Sequence, residues 1–252
     1  EKQLYFTTLT STRLGAGPAM TVSPYVPDFD FFSNRGAKDI HPLYRTNSDE
    51  LPNVSARLLH SLKNGYDIDV TAEQVAYYTF GLLGTGAYTT QFRDELEESA
   101  ARVPFTTDYE LFRKVAGFGR SLIFEATWGE RGSELNEFGQ PTRSRFKGQA
   151  EIHTDTPPTP YPDEWIYEGE TRRLIIGGYG IFENVLPEVM EYSVSGLEVV
   201  SSWLGYRMKV PAGKSSSPLD RIPSNEWHFD RELLELLWQV EYFLKAEIEG
   251  AE

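Results

Sequence analysis

The order of its local signals constrains this chain most. A block of helix-starting signals between Pro52 and Trp128 lies between two flanks punctuated like strands and loops. Pro52 and Asn53 introduce "NVSARLLHSL", and "TAEQVAYYTFGLL" opens with Thr71 and Gln74 at capping-box spacing. In that device the threonine hydroxyl accepts from a first-turn N–H, while the glutamine side chain reaches back to the cap. "TDYELFRKVAGFGRSLIF" repeats the spacing with Thr107 and Glu110, and "YTTQFRDELEESAAR" predicts a further helix with an acidic outer face. The first 45 residues, rich in Thr, Ser, Val, Tyr and Phe, read as strands and irregular loops. Beyond the block, residues 129–164 are polar and broken by Gly and Pro, which predicts a long loop or a boundary.

"RRLIIGGYGIFENV" reads as two short strands turning at Gly177-Gly178-Tyr179-Gly180. "EYSVSG" reads as another strand, and "LEVVSSWLGYRM" as a short helix or strand. A final helix is expected with Asp230 as its cap, apolar residues at 233, 237, 240, 244 and 248, and Gly250 at its end. A helical block between β-containing ends predicts an α+β or mixed α/β fold. The expected organisation is 1–128, a linker over 129–164, and 165–252, as one unit or two intimately packed subdomains.

With 40% hydrophobic and 13% aromatic residues among 252, the chain has the means to build a sizeable core. Its cysteine count of 0 excludes disulfides, thiolate-held metal and thiol catalysis. No apolar run approaches membrane-spanning length, so a cytoplasmic protein without a membrane partner is expected. The first residue is Glu1, which points to a piece of a longer polypeptide.

The net charge of −14 opposes non-specific adhesion to polyanions. Yet basic islands interrupt it. Residues 203–221 hold Arg207, Lys209, Lys214 and Arg221 against Asp220; residues 142–147 hold Arg143, Arg145 and Lys147; residues 33–45 hold Arg35, Lys38 and Arg45 against Asp39. Two readings stand: ordinary solvated loops, or local phosphate contacts.

Motifs for independent chemistry do not assemble. "GGYG" lacks the strand–GxGxxG–helix context, there is no GxxxxGK[ST] run, and Ser195-Gly196 is not in a GxSxG elbow. "DTPPTPY" at 155–161 differs from the methyltransferase Asp-Pro-Pro-Tyr motif by inserted residues and reads as a Pro-rich linker. His153 and Asp155 have a metal-pair spacing without a nearby third ligand. No catalytic residue and no metal ligand is assigned.

Four stretches occur in one order: "FFSNRGAKDIHPLYR" (31–45), "VAYYTFGLLGTGAYTTQFRDEL" (75–96), "RVPFTTDYELFRKVAGFGRSL" (102–122) and "VSGLEVVSSWLGYRMKVPAGKSSSPLD" (194–220). Together, from about Pro24 to about Phe243, they resemble the C-terminal specificity region of type ISP restriction-modification enzymes. The resemblance implies a target recognition domain of mixed α/β build, with double-stranded DNA as its partner. It further implies packing beside the methyltransferase and helicase parts of the same polypeptide, and clamping of the duplex while the target adenine is flipped out. AdoMet, ATP and Mg are implied for the parent and none for this segment, whose sequence lacks those motifs.

Given that resemblance, Lys209, Lys214, Ser215, Ser216 and Ser217 are candidates for gripping phosphate. Arg207, Asn34 and Arg35 are candidates for base or groove contacts, since Arg fits guanine and Asn fits adenine with two hydrogen bonds each. Lys38, Arg45, Arg143 and Arg145 are candidates for the flank. The structural alternative for the 207–220 loop makes Tyr206 and Pro218-Leu219 core anchors, with Asp220 pairing Arg207 or Arg221. The alternative function is a protein-interaction module that does not touch DNA and docks onto the methyltransferase or another partner.

Overall fold

The computed structural model describes residues 3–9, 14–27, 38–46, 51–99, 101–138, 140, 142–154, 162–178, 180–209 and 229–250. The chain divides into two units, Glu1–Arg145 with Val194–Leu197 and Ala246–Glu252, and Phe146–Ser193 with Glu198–Lys245.

In the first unit three antiparallel strands lie in the order β2-β1-β3: β1 (Tyr5–Leu9), β2 (Met20–Ser23) and β3 (Lys38–Pro42). The central strand β1 is buried over four consecutive residues, from Phe6 to Leu9. A strand covered on both faces needs no polar alternation, but its hydroxyls must find partners, and Thr8 donates to the Ala19 carbonyl at 3.0 Å.

The helical block follows: α1 (Ala56–Tyr66), α2 (Ala72–Leu83), α3 (Gly86–Gln91), α4 (Arg93–Glu98) and α5 (Tyr109–Ala126). The capping box of α2 forms as the spacing predicts, with Gln74 N–H on the Thr71 hydroxyl at 3.2 Å and Thr71 N–H on the Gln74 side chain at 2.9 Å. The cap of α5 differs from the expected Thr107. Asp108 holds the position, its carboxylate accepting from Glu110 and Leu111 N–H at 2.8 and 3.2 Å. A carboxylate caps as well as a hydroxyl and adds charge complementary to the helix dipole. The expected single helix over "YTTQFRDELEESAAR" is two, because Phe92 leaves the helical region at φ −112°, ψ 31°.

Helices α2 and α5 cross closely at Gly81 and Gly119. A Cβ on Gly119 would collide with the Tyr77 carbonyl, and one on Gly81 would stand 2.6 Å from the Val115 carbonyl. Beside that crossing, Tyr78 stacks between Phe112 (4.9 Å) and Phe105 (5.2 Å), and its hydroxyl donates to the Pro104 carbonyl at 2.8 Å. Burying a ring such as Phe112 contributes about 2–3 kcal/mol, so this cluster with Leu62, Val70 and Val75 anchors the block.

The second unit holds a four-stranded antiparallel sheet, β4 (Glu151–Thr154), β7 (Gly180–Glu183), β6 (Arg173–Ile176) and β5 (Trp165–Glu168), in the order β4-β7-β6-β5. The expected hairpin is β6–β7, with Gly177 and Gly178 at φ 60° and 74°, conformations that suit glycine. Strand β4 falls inside the stretch expected as a long loop or a boundary. It is an edge strand, exposed at three of its four residues, so its hydrophobic pattern is faint. Short elements follow: α6 (Pro187–Glu191), the hairpin strands β8 (Ser193–Val194) and β9 (Leu197–Glu198), and α7 (Val199–Gly205).

Helix α8 (Phe229–Gly250) closes the chain. Asp230 stands within it as its second residue rather than capping it. The buried stripe runs through Leu233, Leu236, Leu237, Val240, Phe243 and Ala246, and Ile248, expected to belong to it, is 74% exposed. Two carboxylates of α8 replace apolar residues as anchors. Glu241 is buried and accepts from Gln149 N–H (2.7 Å) and Ala150 N–H (3.1 Å). Glu247 accepts from Gly86 N–H at 2.9 Å, satisfying a free donor in the first turn of α3. Burial pushes the Glu247 carboxyl above its ordinary range, and that N–H draws it partly back.

Candidate nucleic-acid interface

Four of the described candidate cations, Arg143, Arg145, Arg207 and Lys209, fall at two helix ends. The first is the end of α5. There Trp128 and Gly129 adopt φ 58° and 81°, and Gly129 N–H closes the helix onto the Phe124 carbonyl at 2.8 Å. A tryptophan in the left-handed region is uncommon, and here Trp128 meets Arg145, whose guanidinium lies 4.5 Å from the ring centroid. Two residues earlier in the returning chain, Arg143 covers the Phe124 ring at 4.5 Å and donates to the Glu125 carboxylate at 2.7 Å. Glu125 is only 2% exposed, and the Arg143 guanidinium offsets part of the cost of burying it.

The second place is the end of α7. Arg207 lies 3.8 Å from the Trp203 ring centroid and donates Nη1 to the Trp203 carbonyl at 3.1 Å. Trp203 meets Phe229 edge-on at 5.9 Å. Lys209 N–H donates to the Pro162 carbonyl at 2.8 Å, while its ammonium reaches Asp163 at 2.9 Å with both side chains exposed. Tyr206 is 60% exposed, which removes it as a core anchor of the loop that follows.

Elsewhere, Arg45 Nε donates to the Asn53 side chain at 3.0 Å on the surface. Lys38 begins β3 and pairs through its backbone with Leu9. Asn34, Arg35, Lys214, Ser215, Ser216 and Ser217 lie outside the described residues, as do Pro218, Leu219 and Asp220. Across the second unit's sheet, Glu183 accepts from Arg173 at 2.7 Å and stands 3.4 Å from His153 Nδ1. The Arg173 hydrogen bond, with His153 adding, holds the Glu183 carboxyl below its usual value. His153 thus faces a partner carboxylate, and among the described residues no group of three acidic or histidine side chains is placed to hold a metal ion. Nor does any described helix have the length and apolarity to cross a membrane.

Sequence reasoning missed the two buried carboxylates, Glu125 and Glu241. An isolated acid inside an apolar-periodic helix was the available signal, but only the fold supplies the partner.

The family described as Type ISP C-terminal specificity domain matches residues 1–238. No curated protein matches the chain. Among solved structures, an ATP-dependent type ISP restriction-modification enzyme, LlaBIII, bound to DNA is similar at TM-score 0.66 and 15% identity, over 100% of this chain and 16% of that one. A nuclease-deletion mutant of the type ISP enzyme LlaGI, in complex with a DNA substrate mimic, is similar at TM-score 0.61 and 16% identity, over 100% of this chain and 18% of that one. The DrdV–DNA complex is similar at TM-score 0.66 and 15% identity, over 99% of this chain and 24% of that one. The chain therefore spans less than a quarter of the length of each.

Proposed function

The chain belongs to the type ISP C-terminal specificity-domain family, and from that premise we propose that it reads the DNA target of a single-chain restriction-modification polypeptide. The observation that carries this reading is the family match over residues 1–238, supported by a fold shared with structures described as DNA complexes. In this reading the chain catalyses nothing itself. It fixes where the polypeptide sits on duplex DNA, beside methyltransferase and helicase parts that use AdoMet, ATP and Mg. Its own sequence carries no GxxxxGK[ST] run for a nucleotide.

The division of labour follows from chemistry. Lys209, exposed and paired with an exposed aspartate, exchanges that partner for a phosphate at low cost. Lys214 and Ser215–Ser217 continue the same polar run in the sequence and serve the backbone with it. Arg143 and Arg207 serve as posts that fix the chain entering such contacts. The charge of −14 favours one rival, a module that docks onto protein instead.

A Lys214→Ala substitution in the polypeptide carrying this chain tests the phosphate role. Loss of one phosphate contact lowers affinity for all duplexes alike and makes the salt slope shallower by about 1. Unchanged affinity and slope would remove the phosphate role.

A further inference from the structure

Within the stretch between α5 and β4, the described residues 134–138, 140 and 142 fold back on one another as a narrow hydrogen-bonded ribbon. Asn136 N–H donates to the Gln140 carbonyl at 2.8 Å, and the N–H and hydroxyl of Thr142 donate to the Glu134 carbonyl at 2.8 and 3.1 Å. The tip is organised by Asn136, whose side-chain oxygen accepts from Phe138 N–H (3.0 Å) and Gln140 N–H (2.9 Å). The foot is clamped by Arg120 of α5, which donates to the Gly132 carbonyl (2.9 Å), the Ser133 carbonyl (2.7 Å) and the Glu134 carboxylate (3.0 Å).

This polar framework fixes the ribbon without its apolar side chains. Phe138 is 79% and Leu135 60% exposed, and Glu137 and Gln140 are exposed beside them. A single exposed apolar residue on a surface needs no explanation. A phenyl ring held out on a ribbon tied at foot and tip is different, because ordering that ribbon costs conformational entropy that no burial of its ring offsets.

The chemistry of the tip selects the occupant. It carries no cation, so it is poorly suited to phosphate. An aromatic ring, an amide and a carboxylate instead match base edges: apolar contact with the thymine methyl, two hydrogen bonds to adenine N6 and N7, and acceptance from cytosine N4. The major groove, about 12 Å wide, admits a two-stranded ribbon. We propose that this ribbon, described at residues 134–138, 140 and 142, is a major-groove reading finger, with Phe138 and Gln140 as specificity-determining residues. The inference rests on the DNA-reading function above and adds where part of the sequence is read.

The test uses the full polypeptide that carries this chain, with Phe138→Ala and Gln140→Ala, selecting from a library of random duplexes at two salt concentrations followed by sequencing. Each variant should relax preference at one or two neighbouring base pairs, on the order of tenfold or more for Gln140→Ala. The salt slope should stay unchanged, since no phosphate contact is lost. Both side chains are exposed, so melting temperatures should match the parent's, and Phe138→Leu should retain part of the preference. Variants that select the parent's site with the parent's preference overturn the finger and leave DNA reading standing. A uniform loss of affinity with a shallower slope also overturns it, as phosphate contact. If the unaltered polypeptide selects no sequence at all, the DNA-reading function fails first.

Discussion

The end of α5 and the end of α7 both lay a guanidinium on an aromatic ring, yet they spend their cations differently. At α5, Arg143 is locked between the Phe124 ring and a carboxylate that is almost fully buried. At α7, Arg207 is locked on Trp203, but two residues on, the Lys209 ammonium pairs with an exposed acid. A cation whose partner is buried belongs to the scaffold, because releasing it strands a charge away from water. One whose partner is solvated exchanges partners with little loss. Of these cations Arg143 and Arg207 are committed to the fold, while Lys209 keeps a solvated partner.

The sharpest way to break this comparison is Arg143→Ala. It should destabilise the protein by about 3 kcal/mol in urea or thermal unfolding, by taking the guanidinium away from a carboxylate that is 2% exposed. Adding Glu125→Ala should recover part of that loss, as expected for coupled partners. A loss as small as that of a surface substitution would make Arg143 as available as Lys209. Next in size, Arg207→Ala should cost about 1–2 kcal/mol through its ring contact, and Arg207→Lys should not restore it, since an ammonium lacks the planar stack. Smallest is Lys209→Ala, expected within about 0.5 kcal/mol of the parent in the same unfolding titration, with the difference vanishing at high salt. A larger, salt-insensitive loss would place Lys209 in the scaffold too.

What was legible in the sequence was local. The Thr71–Gln74 box, the Gly177-Gly178 turn and the existence of α5 and α8 all rest on interactions within a few residues. The misses came where competing local signals lie side by side or where packing decides. Asp108 outbid Thr107 for the same cap, and edge strand β4 showed almost no buried face. Ile248 fits the helical period of α8 yet is exposed, since periodicity says which residues share a face and not how far along the helix that face is covered. The candidate site was legible only as residue types: these marked the basic islands, passed over the cation-free ribbon around Asn136 and Phe138, and gave no sign of which arginines were already engaged.

By itself the sequence determined the helical block between β-containing ends, the exclusion of cysteine chemistry and the family, because propensity, capping and motif order act along the chain. Only the tertiary structure decided which charges are committed. Glu125 meets Arg143 across 18 residues and Glu247 meets Gly86 across 161, and the electrostatic cost or gain of a charge depends on the burial and partners that such distant pairings create.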